Sequence, residues 1–255
     1  MFREASTCNQ CQIFEGKRKL IPLSLNPIFV ESPFQQWGLD FIGEINPTSS
    51  NQHRLILTTT DYFSKWVEVV PIKQATYFFI IEFLMNNILS RFGCPKKLVA
   101  NNTKAFSSAK MIKFCVNYNI VLANTTTYYP QGNGLAESFN KSLVKMIKKF
   151  LQDNKRAWHT KLKFALWADK INTKRPLGTS PFQLVYGLDV VFPPSLGLPV
   201  MKYLQEQESE PNDIQRRINQ LIEVQQIREN VYDRSQLMRD KMKKIFDRKV
   251  KVDDF

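Results

Sequence analysis

The chain has 255 residues, of which 43% are hydrophobic and 12% aromatic, ample for a packed core in one or two domains. Its formal net charge of +13 favours a polyanionic partner, although a membrane surface or a ribosomal context would also suit a basic protein. The sequence shows no signal peptide and no run of roughly 18 apolar residues, which argues against secretion and against a membrane span.

The four cysteines are not arranged as a disulfide framework, which favours a reducing, intracellular environment. Cys8 and Cys11 form a CxxC pair, which is half of a zinc site. Zinc needs four ligands, and the two histidines, His53 and His159, lie far along the chain. Two free cysteines on a frayed terminus explain the pair equally well, so we predict no bound zinc.

The first 124 residues predict an extended linker at 21–33, which contains three prolines, and then alternating elements. We predict strands at 37–44, 54–60, 65–72, 97–100 and 120–123, and helices at 76–92 and 107–118. The first three strands would form an antiparallel meander, and the chain then switches to β-α-β-α alternation. This order predicts an α/β protein.

Asp40 interrupts the apolar run Leu39, Phe41 and Ile42 of the first predicted strand. A carboxylate inside a buried strand is costly unless it is paired, hydrogen-bonded or bound to metal. Asp40 is therefore a candidate functional residue, and the alternative is an aspartate at a strand end that faces solvent.

A basic amphipathic helix is predicted from about 134 to 152, after the turn-forming residues Pro130, Gly132 and Gly134. Its apolar face would carry Phe139, Leu143, Met146 and Phe150. The opposite face would carry Glu137, Lys141, Lys145 and Lys148. From Lys141 to Arg175 there are eleven Lys or Arg against two Asp, a surplus of nine. We predict nucleic-acid binding by this face, with an ordinary solvated face as the alternative.

Three segments of this chain resemble the catalytic segments of the integrases of gypsy-type LTR retrotransposons and of retroviruses. WGLDFIG at 37–43 resembles the first, LVANNTKAF at 98–106 the second, and YYPQGNGLAESFNK at 128–141 the third. The step of 36 from Asn101 to Glu137 is typical of the family. Further matches lie at 60–68, 164–168 and 179–187, so the resemblance covers nearly the whole chain.

The resemblance implies a ribonuclease H-like core at 34–195, with a mixed five-stranded sheet flanked by helices. It implies DNA strand transfer with two Mg²⁺ held by Asp40, Glu137 and the residue at 101. Cys8 and Cys11 in 1–20 would be the remnant of a zinc module. A thin apolar stripe predicts a long helix in the extension 196–255, which would be truncated before the family's C-terminal barrel.

The chain departs from the family pattern at Asn101, where working members have Asp, at Thr103, which is usually Gly, and at Tyr129, which is usually His. An Asn carbonyl can coordinate Mg²⁺ but brings no negative charge. Asp61 could substitute only if its connection folds inward. We therefore predict an integrase-like, nucleic-acid-binding protein of retrotransposon origin with an impaired Mg²⁺ site.

The alternative function is a catalytically silent, domesticated DNA-binding or protein-interaction module. We predict DNA as the partner of the basic face, a possible homo-oligomer, no membrane association, and a nuclear location if the protein is functional.

Overall fold

The structure is a computed structural model that describes residues 30–124, 134–150, 154–188, 190 and 213–248. Contacts divide the chain into two units, Ile28–Gln236 and a second made of Met1–Pro27 with Leu237–Phe255. The fold and sites below belong to the first unit. Of the second unit, the described residues are the last turns of the final helix.

A five-stranded sheet of order β3-β2-β1-β4-β5 forms the centre of the first unit. Its strands are β1 (Gln36–Ile42), β2 (Leu55–Asp61), β3 (Val67–Ile72), β4 (Lys97–Ala100) and β5 (Val121–Asn124). The first three strands are antiparallel, and β4 and β5 are parallel to β1. The mixed sheet confirms the predicted fold class, and every predicted strand is present with ends shifted by at most two residues.

Helices pack on both faces of the sheet. Helix α1 comprises three consecutive helical segments, Tyr77–Phe83, Leu84–Leu89 and Ser90–Phe92. The later helices are α2 (Ala109–Asn117), α3 (Gly134–Phe150), α4 (Trp158–Ile171), α5 (Pro181–Tyr186) and α6 (Asp213–Asp247), with a 3-10 turn at Lys155–Ala157 before α4. The predicted helices at 76–92, 107–118 and 134–152 are confirmed, as is the long helix in the extension.

The middle segment of α1, Leu84–Leu89, is a π-helix, which the sequence did not predict. Ile80, Leu84 and Ile88 are fully buried and recur every four residues. That interval is longer than the 3.6 residues of an α-helical turn, and a wider π turn keeps all three side chains on the sheet.

Side-chain alternation along the strands divides the core into two layers. Trp37, Leu39 and Leu57 face α1 and α2 in one cluster. Ile42 and Ile56 face the opposite way, towards α3 and α4, in a second cluster. Because Asp40 and Ile42 are two residues apart in β1, their side chains point the same way, and the Asp40 side chain lies on the α3 face of the sheet.

The final helix α6 packs on a third cluster, which also contains α5. Val231 is buried there against Tyr62, Val99 and Leu184. The Arg228 guanidinium donates to the Leu184 carbonyl at 3.3 Å and to the Val185 carbonyl at 3.4 Å, where α5 ends. Among the helices described, none combines the length and the hydropathy that a bilayer-spanning segment requires.

Candidate active site

Asp40 is the centre of the predicted site and lies inside β1 with 8% of its surface exposed. Its Oδ1 accepts from the Phe41 backbone N–H at 2.9 Å and from Asn101 Nδ2 at 3.0 Å. Its Oδ2 accepts from Asn140 Nδ2 at 2.7 Å. Burial excludes the solvent-facing alternative, and these hydrogen bonds offset the cost of removing a carboxylate from water.

Asn101 reaches Asp40 because β4 runs parallel to β1, with Leu39 opposite Ala100. Its Oδ1 accepts from the Thr103 backbone N–H at 3.1 Å and from the Thr103 hydroxyl. The backbone N–H can only donate, so the atom facing it is the amide oxygen and the atom facing Asp40 is the amide nitrogen. The sequence prediction that Asp40 and the residue at 101 adjoin thus agrees with the structure.

Thr103 does not introduce backbone strain at this turn. The φ of Thr103 is not positive, so the position does not need the glycine that the family usually has there. Its hydroxyl instead helps to hold the Asn101 amide in one orientation.

Asn140 is a site residue that the sequence did not single out. It lies on α3, where its Nδ2 donates to Asp40 and its Oδ1 accepts from the Thr58 hydroxyl at 3.2 Å. The available signal was its position three residues after Glu137, which places both residues on adjoining parts of one helix face. An asparagine at that spacing is easily taken for an ordinary surface residue.

Glu137 lies in the first turn of α3, but its side chain is outside the described residues. The backbone of α3 is held on the sheet by Phe139, Leu143 and Ile147, all buried against β1 and β2. The convergence of Glu137 with Asp40 therefore stays a prediction. Cys8, Cys11 and Tyr129 also lie outside the described residues.

The basic face of α3 has the predicted orientation. Lys141, Lys145 and Lys148 are exposed, and with Lys149 they form what we call the lysine ridge. Ile147 is buried in the core contact where Met146 was predicted, and Met146 is only partly buried. The helix therefore turns its cationic side to solvent directly after the Asp40 site.

Asp61 occupies a structural position rather than a ligand position. Its Oδ1 accepts from the Phe34 N–H at 3.0 Å, and its Oδ2 accepts from the Ser64 N–H and hydroxyl at 2.7 and 2.6 Å. Burial raises its pKa to about 6, and the bonds from Ser64 and Phe34 oppose that rise. The carboxylate thus holds the β2–β3 turn, which explains an acidic residue at the end of a buried strand.

Tyr62 adds an electrostatic contact that the sequence did not indicate. Burial first, and then the charge of Asp40, raise the pKa of its phenol. The hydroxyl is therefore neutral beside the carboxylate and is a further polar group on the α3 face of the sheet.

The described residues do not fit two Mg²⁺ ions between Asp40 and Asn101. Magnesium binds oxygen, and Asn101 turns a nitrogen towards Asp40 while Thr103 engages its only side-chain oxygen. Among the described residues, which do not include the Glu137 side chain, no three His, Cys, Asp or Glu side chains are grouped. The arrangement pairs one carboxylate with amide donors.

Comparison with known proteins shows which domains this chain resembles. Residues 30–130 match the family model described as "Integrase core domain". The Gag-Pol polyprotein of avian reticuloendotheliosis virus is 31% identical over 166 residues, which cover 65% of this chain and 14% of the polyprotein. The Pro-Pol polyprotein of feline foamy virus is 28% identical over 196 residues, which cover 74% of this chain and 16% of that protein. The chain thus spans a small part of these relatives.

Two solved structures share the fold. The HTLV-2 integrase catalytic core domain in complex with magnesium gives a TM-score of 0.50 at 23% identity and covers 60% of this chain and 96% of that chain. The simian T-cell lymphotropic virus intasome in complex with PP2A regulatory subunit B56 gamma gives 0.56 at 21% identity, covering 82% of this chain and 69% of that chain. The sheet order and the sequence matches together make this chain similar to retroviral integrase core domains.

Proposed function

We propose that the protein is an integrase-like, nucleic-acid-binding protein of gypsy-type retrotransposon origin, associated with DNA integration and impaired in strand transfer. The hydrogen bond from Asn101 Nδ2 to Asp40 Oδ1 carries the proposal, because a donor stands where a second acidic ligand would be needed. In this proposal 34–195 is the catalytic core-like domain, and the extension begins at 196.

The chemistry of the domain requires charge that Asn101 does not supply. Two-metal phosphoryl transfer places two dications about 3.5 to 4 Å apart, and carboxylates offset their repulsion. The HTLV-2 core domain, which shares this fold, was solved in complex with magnesium, and we propose Asp40 and Glu137 as the Mg²⁺ ligands of this chain. With an amide at 101, one negative charge is missing, so we expect weak or lost Mg²⁺ binding and no zinc at Cys8 and Cys11.

The test of catalysis is a strand-transfer and nicking assay of the chain beside Asn101→Asp, each with Mg²⁺ and with Mn²⁺. We expect activity from the variant and little from the unaltered chain, because the substitution restores the acidic ligand. Asp40→Asn in the Asn101→Asp background is the control and must abolish the activity. Equal activity of the unaltered chain and Asn101→Asp would contradict the proposed impairment.

The second candidate function is a silent DNA-binding module, favoured by the exposure of the lysine ridge. DNA binding does not depend on Asn101, so affinity should survive the loss of catalysis and fall steeply between about 50 and 200 mM salt through counterion release. Lys141→Ala with Lys145→Ala should lower the salt slope. Affinity that is flat with salt would instead favour a protein-interaction module.

We also propose self-association and, for a functional protein, a nuclear location. Phe164 and Trp167 on α4 keep 46% and 41% of their surface exposed, which supports a contact with a second copy. The size of the chain in solution, measured by light scattering before and after Phe164→Ser, tests this; a monomer in both samples contradicts it.

A further inference from the structure

A polar concavity lies at the end of the sheet where β2 begins and β3 ends. Its volume is about 430 Å³, and it is lined by Thr48, Gln52, Arg54, Lys73 and Gln74. The lining offers a guanidinium, an ammonium, two carboxamides and a hydroxyl, all of which can donate, and contains no carboxylate. We call this the basic pocket.

Arg54 and Lys73 are held side by side by the sheet. Leu55 pairs with Ile72, and the Arg54 N–H donates to the Ile72 carbonyl at 3.0 Å, so the register places Arg54 opposite Lys73. Like charges directly opposite on antiparallel strands are destabilising. Within the part of the chain described, no acidic side chain forms an ion pair with either residue.

Two ionisable rings lie next to this pair. His53, which precedes Arg54, and His159 are the two histidines of the chain, and their ring centroids are 5.5 Å apart. Lys73 is one of the groups that lower the pKa of His53, after burial and His159, so its positive field reaches the ring. A cation is therefore disfavoured here, and an anion would relieve the repulsion.

The basic pocket lies on the same face of the sheet as the Asp40 site. Side chains an even number of residues apart along a strand point to the same face of the sheet. Arg54 lies two residues before Ile56 and four before Thr58, and Lys73 lies six residues after Val67. This alternation places Arg54 and Lys73 on the face that is covered by α3. Asp40 pairs with Thr58, four residues from Arg54 along β2, which is about 13 Å at the rise of a strand. That distance corresponds to about four base pairs along duplex DNA.

We infer that the basic pocket binds a backbone phosphate of the DNA that lies on the lysine ridge, about four base pairs from Asp40. This inference rests on the proposed DNA binding and adds a second anchoring point to it. A phosphate fits a lining in which every side chain can donate and none is a carboxylate, and the guanidinium of Arg54 can bind it in a bidentate manner while Lys73 supplies a point charge. The contact fixes the position of DNA and reads no base.

The test measures the affinity of the full chain for a labelled duplex as a function of salt, by fluorescence anisotropy. We expect Arg54→Gln with Lys73→Gln to lower the slope of log affinity against log salt by about one to two units. The control is Lys110→Gln with Lys113→Gln, which removes the same charge from exposed positions of α2 on the other face of the sheet and should leave the slope unchanged. Circular dichroism verifies that each variant is folded.

Equal slope changes for both pairs would mean that only net charge matters, and would overturn the inference. The inference is also overturned if Arg54→Gln with Lys73→Gln leaves the salt slope unchanged while Lys141→Ala with Lys145→Ala lowers it. In that case the proposed DNA binding itself stands. A chain that binds no DNA contradicts both. Binding of pyrophosphate that depends on Arg54 and Lys73, without any effect of the pair on DNA affinity, would assign the pocket to a free phosphate and also overturn the DNA assignment.

Discussion

At the scale of single residues, the Asn101 amide is a direct partner of the Asp40 carboxylate. Asn101 differs from the Asp that the integrase resemblance implies at this position by an NH₂ in place of an oxygen, and that NH₂ donates to Asp40. Replacing it with Asp would bring two carboxylates to hydrogen-bonding distance, where repulsion disfavours the doubly ionised state unless a cation is bound.

Asn101→Asp should therefore make stability depend on Mg²⁺. We expect the variant to have a lower Tm than the unaltered chain without metal and to regain several degrees with Mg²⁺, since binding at 100 times Kd contributes about 2.7 kcal/mol. Thermal unfolding with and without Mg²⁺ measures this. A Tm of the unaltered chain that rises as much as that of the variant would contradict the poor fit of the present residues to the ions.

Asn140→Ala should destabilise the fold by about 1 to 3 kcal/mol, because it removes the donor to Asp40 Oδ2 and the acceptor of the Thr58 hydroxyl. Urea unfolding measures the loss. Asn117→Ala, an exposed position on α2 with the same gain in helix propensity, is the matched control and should stay within about 0.5 kcal/mol. Equal effects of the two would mean that the Asn140 contacts contribute nothing.

At the scale of elements, a buried carboxylate joins three of them. Glu68 on β3 accepts at Oε1 from Arg91 Nη1 of α1 and from Lys170 Nζ of α4, each at 2.9 Å, and from Trp66 Nε1 at 2.9 Å. Lys170 also lies 4.2 Å from the centroid of the Trp66 ring. The glutamate was recognised in the sequence only as part of a strand.

Glu68→Ala should cost about 3 to 5 kcal/mol, because it leaves the largely buried Lys170 ammonium without its carboxylate. The control is Glu82→Ala on the exposed side of α1, which should change the free energy of unfolding by less than about 0.5 kcal/mol. Chemical denaturation of both variants gives the comparison. A loss at Glu68 no larger than at Glu82 would show that the charged cluster is not a stabilising junction.

Gly187, directly after α5, lies against Val224 of α6. Its φ is +72°, and a Cβ there would lie 1.9 Å from Val224 Cγ2 of α6. Gly187→Ala should therefore release α6 from the core, which hydrogen exchange of α6 amides would show as lost protection. Gly93→Ala, also at positive φ but with nothing within 4 Å of its Cβ, should leave α6 protected.

The double variant Gly187→Ala with Val224→Ala separates collision from backbone strain. Removing the Val224 methyl groups relieves the contact but not the strain of an alanine at positive φ. Recovered protection in the double variant supports direct packing of α6 on α5. Protection that is never lost in Gly187→Ala would contradict it.

At the scale of the whole molecule, the surroundings of His53 make stability depend on pH. The pKa of His53 is lowered by burial, then by His159 and Lys73, so the native state binds this proton less readily than the unfolded chain. The free energy of unfolding should therefore be highest above the ordinary His pKa of about 6.5 and fall as pH drops below it. Urea unfolding at a series of pH values measures the slope.

His159→Gln isolates this effect from the other groups that titrate in acid. The variant removes one source of repulsion on His53, so the pH dependence between about pH 7 and 5 should become shallower. An unchanged slope would mean that the two rings do not interact electrostatically.

The fold was largely predictable because its signals are local. The strand at 97–100 and the helix at 107–118 were located from local residue patterns, and the structure has them as Lys97–Ala100 and Ala109–Asn117. The site was predictable in part: the spacing of three motifs named Asp40 and Asn101, and parallel pairing of β1 with β4 brings them together. The π turns of α1 were missed because hydrophobic periodicity is counted against an α-helical repeat.

The sequence by itself thus determined the alternation of elements and the basic face of α3, because each is encoded in neighbouring residues. That an acid is missing at 101 stays a prediction from the family resemblance. Only the tertiary structure decided which groups meet across long separations: Asn140 with Asp40, Lys170 with Glu68, and His159 with His53. The orientation of the Asn101 amide also depended on the fold, since it follows from a donor fixed by the turn at Thr103. The physical reason is that a side chain's charge and hydrogen-bonding capacity are properties of the residue, whereas its partner is selected by strand register and helix packing.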